Sequence, residues 1–512
     1  MGQASRAVCP EMLRSGDETN GCVMSNQSPE PATEYLLIGG RPVDGPVKLA
    51  VHNPACPAQL VGTIVCATAA QIGDAVAAAK QAQPAWAAMS FWQRAELLEV
   101  ALARLEHPPE ERAALFVREN GRILDEARRE LTAVAPRQRL MLRHADLLDS
   151  GRDYDAPRGE THVRWRPYGV VASIVPWNAP VSLAFTQMVS ALFAGNCAVL
   201  KPPETCPLTL IRTARDFAAA LPPGTLNIVT GHPAEIGPVL TSHPDIAKIA
   251  FTGGIVSARR ILASAAQTIT PVTLELGGND PAIILEDAEF SPATMDAMVS
   301  ACFQMSGQVC MAIKRIFVPA RRQAEFLRAF IAAGEKLLVG DGLKPGITMG
   351  PLHNDAARER IRGFLADAAA RGGQIHPLGR LDDAVEASGG YFVQPAIVSG
   401  LTDDAPLMAE EQFGPVIPLT AYETIDEAVR RANDSVYGLS GSVWGQDVQE
   451  ALAVGRRLEA GQVWINAHGA RAVNHLAPYG GVKQSGAGRK SGLEGVLEYL
   501  QSQTITACYN RT

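Results

Sequence analysis

The residue best equipped for chemistry is Cys310, which closes the run Phe303-Gln304-Met305-Ser306-Gly307-Gln308-Val309-Cys310. A thiolate is the strongest nucleophile among ordinary side chains, provided its charge is held and it stays partly accessible. A Gly-Gln turn leads into the cysteine, and Lys314-Arg315 with the apolar run Ile316-Phe317-Val318 follows it. Alone, such a cysteine is also consistent with an inert core residue, since free cysteines are commonly buried. The distinction rests on what the rest of the fold brings to it.

From Gly169 onward, short apolar runs alternate with helical stretches. Strands are expected at 170–175, 197–200, 225–229, 247–251 and 272–276, with helices at 181–194, 208–220, 236–241 and 257–266 between them. This alternation predicts a parallel, doubly wound sheet. Ligands of such sheets bind where strands end. The residues there are Pro176-Trp177-Asn178, Lys201-Pro202-Pro203-Glu204, Thr230-Gly231, Thr252-Gly253-Gly254 and Glu275-Leu276-Gly277-Gly278. A second βα region begins at Pro281 and runs through Cys310. The glycine-rich loop Tyr479–Arg489 leads into a last helix and a terminal strand at 504–509. Upstream, Thr68 and Gln71 are spaced as a capping box for a helix over 69–89. Helices follow at 92–105, 110–120 and 123–148, the last expected to kink or break at Pro136. Residues 160–168 alternate polar and apolar, as a surface hairpin or a subunit-pairing arm would. Residues 1–33 carry no periodicity and predict little order, with Met24 a plausible native start.

At 512 residues the chain is too long for one ordinary core, so two or three domains are expected. Hydrophobic residues make up 47% and charged ones 19%, the balance of a well-packed globular protein. The net charge of −7 has no basic block, which argues against a nucleic-acid partner. Nine scattered cysteines without a C-x-x-C predict free thiols in a reducing compartment and no metal site. No apolar run reaches membrane-spanning length, so a cytoplasmic protein without a membrane partner is expected.

From about residue 34 to the end the chain resembles the NAD(P)-dependent aldehyde dehydrogenase superfamily. Seven motifs stand in family order: Pro176-Trp177-Asn178-Ala179-Pro180, Lys201-Pro202-Pro203-Glu204, Phe251-Thr252-Gly253, Leu274-Glu275-Leu276-Gly277-Gly278, Gly307-Gln308-Val309-Cys310, Glu411-Gln412-Phe413-Gly414-Pro415 and Tyr479 to Gly486. The resemblance implies an α/β fold with a doubly wound, Rossmann-type NAD domain (34–149 and 170–276) and an α/β catalytic domain (277–484). A small β oligomerisation element (150–169 and 497–512) would build a homodimer or homotetramer.

It further implies that Cys310 attacks an aldehyde to form a thiohemiacetal. The Asn178 amide and the Cys310 backbone N–H would meet the oxyanion, each such donor being worth roughly 2.7–4 kcal/mol of barrier. Hydride transfer would leave a thioester, and Glu275 would activate water to hydrolyse it. Retention of this base favours release of a free acid over transfer to coenzyme A. Lys201 and Glu204 match positions that hold the adenosine ribose, Glu411 the nicotinamide ribose, and Phe413 packs near the nicotinamide. Thr252, Gly253 and Gly254 would lead the pyrophosphate to a helix start. Pro176, Trp177, Gly231, Phe251, Leu276 and Gly277 complete the expected cofactor set. A carboxylate at 204 accepts from ribose hydroxyls and repels a 2′-phosphate, which favours NAD over NADP.

Three positions depart from the family pattern: Met305 stands where asparagine is usual, Ala258 where glycine is frequent, and Asn279-Asp280-Pro281 where a lysine usually follows the glycine pair. The substrate pocket is expected from Ala179, Ser182, Leu183 and Thr186, from Val309 and Met311 flanking the cysteine, and from His468 and Arg471 in the loop 468–476. Small residues there predict a bulky apolar, aromatic or terpenoid-like aldehyde. An inward Arg471 would instead favour a carboxylate-bearing semialdehyde. The competing classes are a weakened binding protein on the same scaffold and a thioesterase-like hydrolase using the same thiol.

Overall fold

Val170–Ile174 (β1) and Cys197–Lys201 (β2) are buried along their whole length, as strands covered on both faces must be. They are joined by Leu226–Ile228 (β3), Ile246–Thr252 (β4) and Val272–Glu275 (β5) in one parallel array, ordered β5-β4-β1-β2-β3. The chain therefore leaves β1 in one direction for β2 and β3, and returns to its other side for β4 and β5. That reversal is the switch point at which such sheets open a crevice. The edges are closed by antiparallel neighbours, Leu36–Ile38 beyond β3 and Gly486–Ala487 beyond β5. The computed structural model describes residues 32–156 and 159–509. The expectations for residues 1–31, including the start at Met24, lie outside the described residues; Ala32–Glu34 forms a short strand parallel to Cys56–Cys66.

A second sheet has seven strands, with Arg315–Pro319 and Pro281–Ile284 at its centre. Its alternation is visible in the packing: Ala282, Ile284, Ile316 and Val318 face one core, while Ile283 and Phe317 face another. A third sheet of three antiparallel strands joins Arg152–Ala156, Gly159–Pro167 and Leu500–Cys508.

Local signals and tertiary outcome agree at Thr68. Its hydroxyl accepts from the Gln71 N–H and the Gln71 side chain accepts from the Thr68 N–H, so the helix Ala69–Ala87 starts with the expected box. They disagree at Pro136. Helix α1 (Leu124–Leu142) runs through that proline, and the interruption comes only at Arg143–His144, before Ala145–Ser150. Leu131, Val134, Ala135 and Gln138 are buried against helix α2 (Pro180–Phe193), and that packing outweighs one missing hydrogen bond. The helix expected from 257 begins earlier, at Ile255 (α3, Ile255–Ala265), with buried Ala258 in its first turn. The expectation of free thiols throughout fails at Cys56, which is disulfide-bonded. Cys66, Cys197, Cys206, Cys302, Cys310 and Cys508 are free. Among the described residues no helix is long and apolar enough to cross a membrane.

Candidate active site

The helix Pro292–Phe303 stops about two turns short of the cysteine, and the chain then enters an unusual bend. Met305, Ser306 and Gly307 take φ values of 52°, 58° and 72°. Left-handed backbone costs an L-residue with a Cβ roughly 1–2 kcal/mol. The bend is held by partners: the Met305 N–H donates to Glu126 (2.9 Å), the Ser306 hydroxyl to the Gly350 carbonyl (2.8 Å), and the Gln308 amide to the Met305 carbonyl (3.1 Å). Gly307 has no alternative, because a Cβ there would collide with the Gly414 carbonyl. Asparagine tolerates this backbone region better than methionine. The departure at 305 therefore adds local strain and removes no reacting group.

Cys310 emerges half-buried on the wall of a cavity of about 210 Å³. Burial pushes its thiol up, and Lys490 and then Lys314 pull it back down. Lys314 is buried, and its ammonium donates to the carbonyls of Val309 (2.9 Å) and Cys310 (2.6 Å) while lying 3.4 Å from Glu411. Glu411 in turn accepts from the Gly278 N–H at 3.2 Å, and a Cβ on Gly277 would strike its carboxylate. At the departure Asn279-Asp280 both side chains are held by neighbours. Asn279 donates to the Met408 carbonyl, Asp280 accepts from the Ser440 N–H, and the ammonium comes from Lys314 at the start of the neighbouring strand. Burial raises the Asp280 carboxyl to about 7, against the pull of Lys314.

Asn178 is buried beside Cys310, with its Nδ2 donating to the Gln308 carbonyl at 3.0 Å and its own carbonyl accepting from Arg122 at 2.6 Å. An amide has two N–H donors, so one remains for the cavity. The Cys310 backbone N–H has no partner among the described residues. Glu275 ends β5, and burial raises its pKa. Lys490 lies 3.4 Å from one carboxylate oxygen, and the other oxygen has no partner.

The cavity wall holds Ala179, Ser182, Leu183 and Thr186 from the start of α2, with Val309 and Met311 beside the cysteine. Arg471 is on the wall; His468 is not. The His468 ring turns into the protein, 2.8 Å from the Ser442 hydroxyl, and burial pushes it down to about 3. Its place is taken by His475 of the same loop, and the wall also holds Tyr479 together with Arg129, Arg137 and Lys490, which the sequence reading passed over. A signal existed for the α1 residues: Glu126, Glu130 and Arg137 recur at helical spacing beside buried Leu131, Val134 and Ala135.

A larger cavity, about 970 Å³, opens at the strand ends. Pro176, Trp177, Lys201 and Glu204 line one side, and Phe251, Thr252, Gly253 and Gly254 the other. The Lys201 ammonium is 3.2 Å from Glu204. Helix α3 starts here with no side-chain cap, so its free N–H groups and Arg260 face the cavity. Glycine is required at 253, where a Cβ would strike the Phe251 ring. An uncapped helix start, an ammonium and a carboxylate spread over strand ends suit a phosphate-bearing nucleotide. Gly231, Leu276, Gly277, Glu411 and Phe413 lie off this wall. Gly231 precedes wall residue His232, and the Leu276 N–H donates to Ser485. The Phe413 ring meets Trp177 edge-on at 5.8 Å, and Trp177 stacks on His353 at 4.1 Å. The His353 N–H reaches the side chain of Gln308 (2.9 Å), so the strand-end cavity and the cysteine turn share one packed unit.

Residues 43–505 match the model of the aldehyde dehydrogenase family. Among solved structures, a betaine aldehyde dehydrogenase from Staphylococcus aureus in complex with NAD+ is 32% identical with a TM-score of 0.87, over 92% of this chain and 94% of that one. An aldehyde dehydrogenase from Brucella melitensis biovar abortus 2308 is 33% identical with a TM-score of 0.88, covering 93% and 98%. Lactaldehyde dehydrogenase from Escherichia coli is 32% identical with a TM-score of 0.88, covering 93% and 99%. Cysteine and amide share one cavity wall, Glu275 lies off that wall and reaches it through Lys490, and the larger strand-end cavity and these matches complete the picture: the chain belongs to the aldehyde dehydrogenase family.

Proposed function

We propose that this chain is an NAD-dependent, non-acylating aldehyde dehydrogenase whose substrate carries a carboxylate at the end remote from the aldehyde. The observation that carries the substrate reading is Arg471. With Arg129 and Arg137 it lines the cavity that holds Cys310; Arg129 feels Glu126 and Arg137 feels Glu130, but none of the three makes a direct ion pair with a carboxylate among the described residues. Five cations and two carboxylates line this wall in a protein whose net charge is −7. Cations left unpaired around a cavity favour an anionic guest. Leu183, Val309 and Met311 leave a short apolar stretch between the cations and the thiol, so a small semialdehyde fits this wall better than the bulky apolar aldehyde expected from residue size.

In this reading the Cys310 sulfur bonds to the aldehyde carbon. The charge that develops on oxygen is met by the Asn178 Nδ2–H and the Cys310 N–H. NAD, when bound at the strand ends, supplies the hydride acceptor. That cofactor is supported by the donor set there and by the NAD+ complex of the Staphylococcus aureus relative. Glu275 then takes a proton from water, the resulting hydroxide adds to the thioester carbon, and the Cys310 thiolate leaves as the acid is released. We further propose a cytoplasmic homodimer or homotetramer that pairs through the three-stranded sheet, where Tyr154, Ile505 and Tyr509 are exposed.

The test is kinetic, on aldehydes of equal length with and without a distal carboxylate. The acid form is expected to be preferred, and Arg471→Ala to raise its KM about 10- to 100-fold, the loss of a charged hydrogen bond of roughly 1.5–3 kcal/mol. The uncharged aldehyde should change less than about threefold. Preference of the wild type for the uncharged aldehyde contradicts the reading.

A further inference from the structure

Lys490 lies close to both groups that the proposed reaction uses in succession. Its ammonium is 3.4 Å from a Glu275 carboxylate oxygen, the one ion pair of that carboxylate among the described residues. It also lies on the wall of the cavity into which Cys310 opens. The backbone fixes its position. Tyr479 and Lys490 exchange N–H···O bonds of 2.7 Å in both directions, and Gly486 pairs with Glu275 at the sheet edge. The side chain is then clamped over the buried Tyr479 ring, with Nζ 4.7 Å from its centre. At 16% exposure it is shielded from water, so its charge acts at more than solvent-screened strength.

We propose that Lys490 is a positioning residue shared by Cys310 and Glu275: its ammonium holds the Glu275 carboxylate in place and meets the charge on the Cys310 sulfur whenever that sulfur is a thiolate. This rests on the aldehyde dehydrogenase reading above and adds to it a residue outside the expected catalytic set.

Apart from Arg137, the other charged groups around the pair are occupied. Arg489 donates to the Gly481 and Gly488 carbonyls. Glu498 accepts from Thr273 and Lys248. Lys314, Glu411 and Asp280 also act on Cys310, and each is held by partners of its own, as described above. On the cavity side stand Arg137 and His475, the latter pushed down to about 4 by burial and these cations, hence neutral at physiological pH. Tyr479 and Tyr499 are buried phenols held well above their usual range, also neutral. Lys490 is thus the cation that thiolate and carboxylate share. Before substrate arrives both anions draw on it. Once the sulfur is bonded to carbon, the ammonium belongs to Glu275 alone and keeps it ionised to accept the proton of water. When the thioester collapses, the sulfur leaves as a thiolate beside a cation already in place.

The test uses the full-length protein and two readouts. The first is iodoacetamide alkylation of Cys310 against pH, followed by mass spectrometry of its peptide, without cofactor or substrate. The second is the pH profile of steady-state turnover, with the wild-type NADH burst measured beside it. In Lys490→Gln the alkylation midpoint and the acid limb of turnover should both move to higher pH, with alkylation at pH 7 slowed about tenfold, the effect of one pKa unit. Lys490→Arg, which keeps the charge, should stay within about threefold of wild type. Either profile unchanged in Lys490→Gln overturns the proposal, and so does Lys490→Arg behaving like Lys490→Gln. A wild type with no burst, but with shifted alkylation in the variant, overturns the dehydrogenase reading and not the role of Lys490 toward the thiol.

Discussion

Glu275 is the residue at which burial and charge oppose each other most directly. In the proposed reaction it must be ionised to take a proton from water, yet burial raises its pKa above the ordinary carboxylate value, with Lys490 resisting. The sign follows. A base with a raised pKa is still protonated at pH values where an exposed glutamate is ionised. Thioester hydrolysis therefore fails as pH falls through the raised value and is restored above it. Steady-state turnover should show an acid limb above the ordinary glutamate range. Glu275→Gln should keep the NADH burst and slow later turnovers about 10²- to 10⁴-fold; an unchanged steady state would contradict the assignment. Cys310, Asn178 and Glu275 could be proposed from the sequence because each stands in a short motif, and Cys310 and Asn178 fall on one cavity wall. Lys490 and Arg137 were not. Their significance comes from neighbours distant in the chain, and a lysine after Gly-Arg or an arginine on a helix looks like ordinary surface.

At the scale of elements, the site depends on one strand start and one strained bend. Lys314 opens a central strand of the second sheet and holds two consecutive carbonyls of the nucleophile's own segment. Lys314→Met should free that segment and lower kcat. It should also strand the buried carboxylates of Asp280 and Glu411, at a cost of about 3–5 kcal/mol in urea denaturation. Adding Asp280→Asn should recover much of the stability and little of the rate, separating charge balance from positioning; full recovery of rate would contradict the positioning role. Elements with local signals were readable, as the Thr68 box shows. Those decided by packing were not. Pro136 reads as a break, yet α1 continues because its buried stripe is gripped on both sides of the proline. The successive left-handed residues at 305–307 carry no glycine until the third, so no turn propensity marks the start of the bend.

Over the whole molecule, apolar runs separated by helices were enough to give the doubly wound sheet. The strand Gly486–Ala487, two residues without periodicity, was beyond sequence reading, although it ties the segment carrying Lys490 to the strand carrying Glu275. The third sheet projects Ile505 and Tyr154 into solvent. In the proposed oligomer these sit at the interface, so Ile505→Asp should shift light-scattering mass toward a smaller species; an unchanged mass would contradict that interface. Charge also divides at this scale, a net acidic protein enclosing a cavity rich in arginine. The most direct test of the central claim is a rapid-mixing NADH burst with NAD and a carboxylate-bearing aldehyde, wild type beside Cys310→Ala. A burst near one equivalent per active site is expected in the wild type and none in the variant. A burst that survives in Cys310→Ala, or none in wild type with any aldehyde, would contradict the claim.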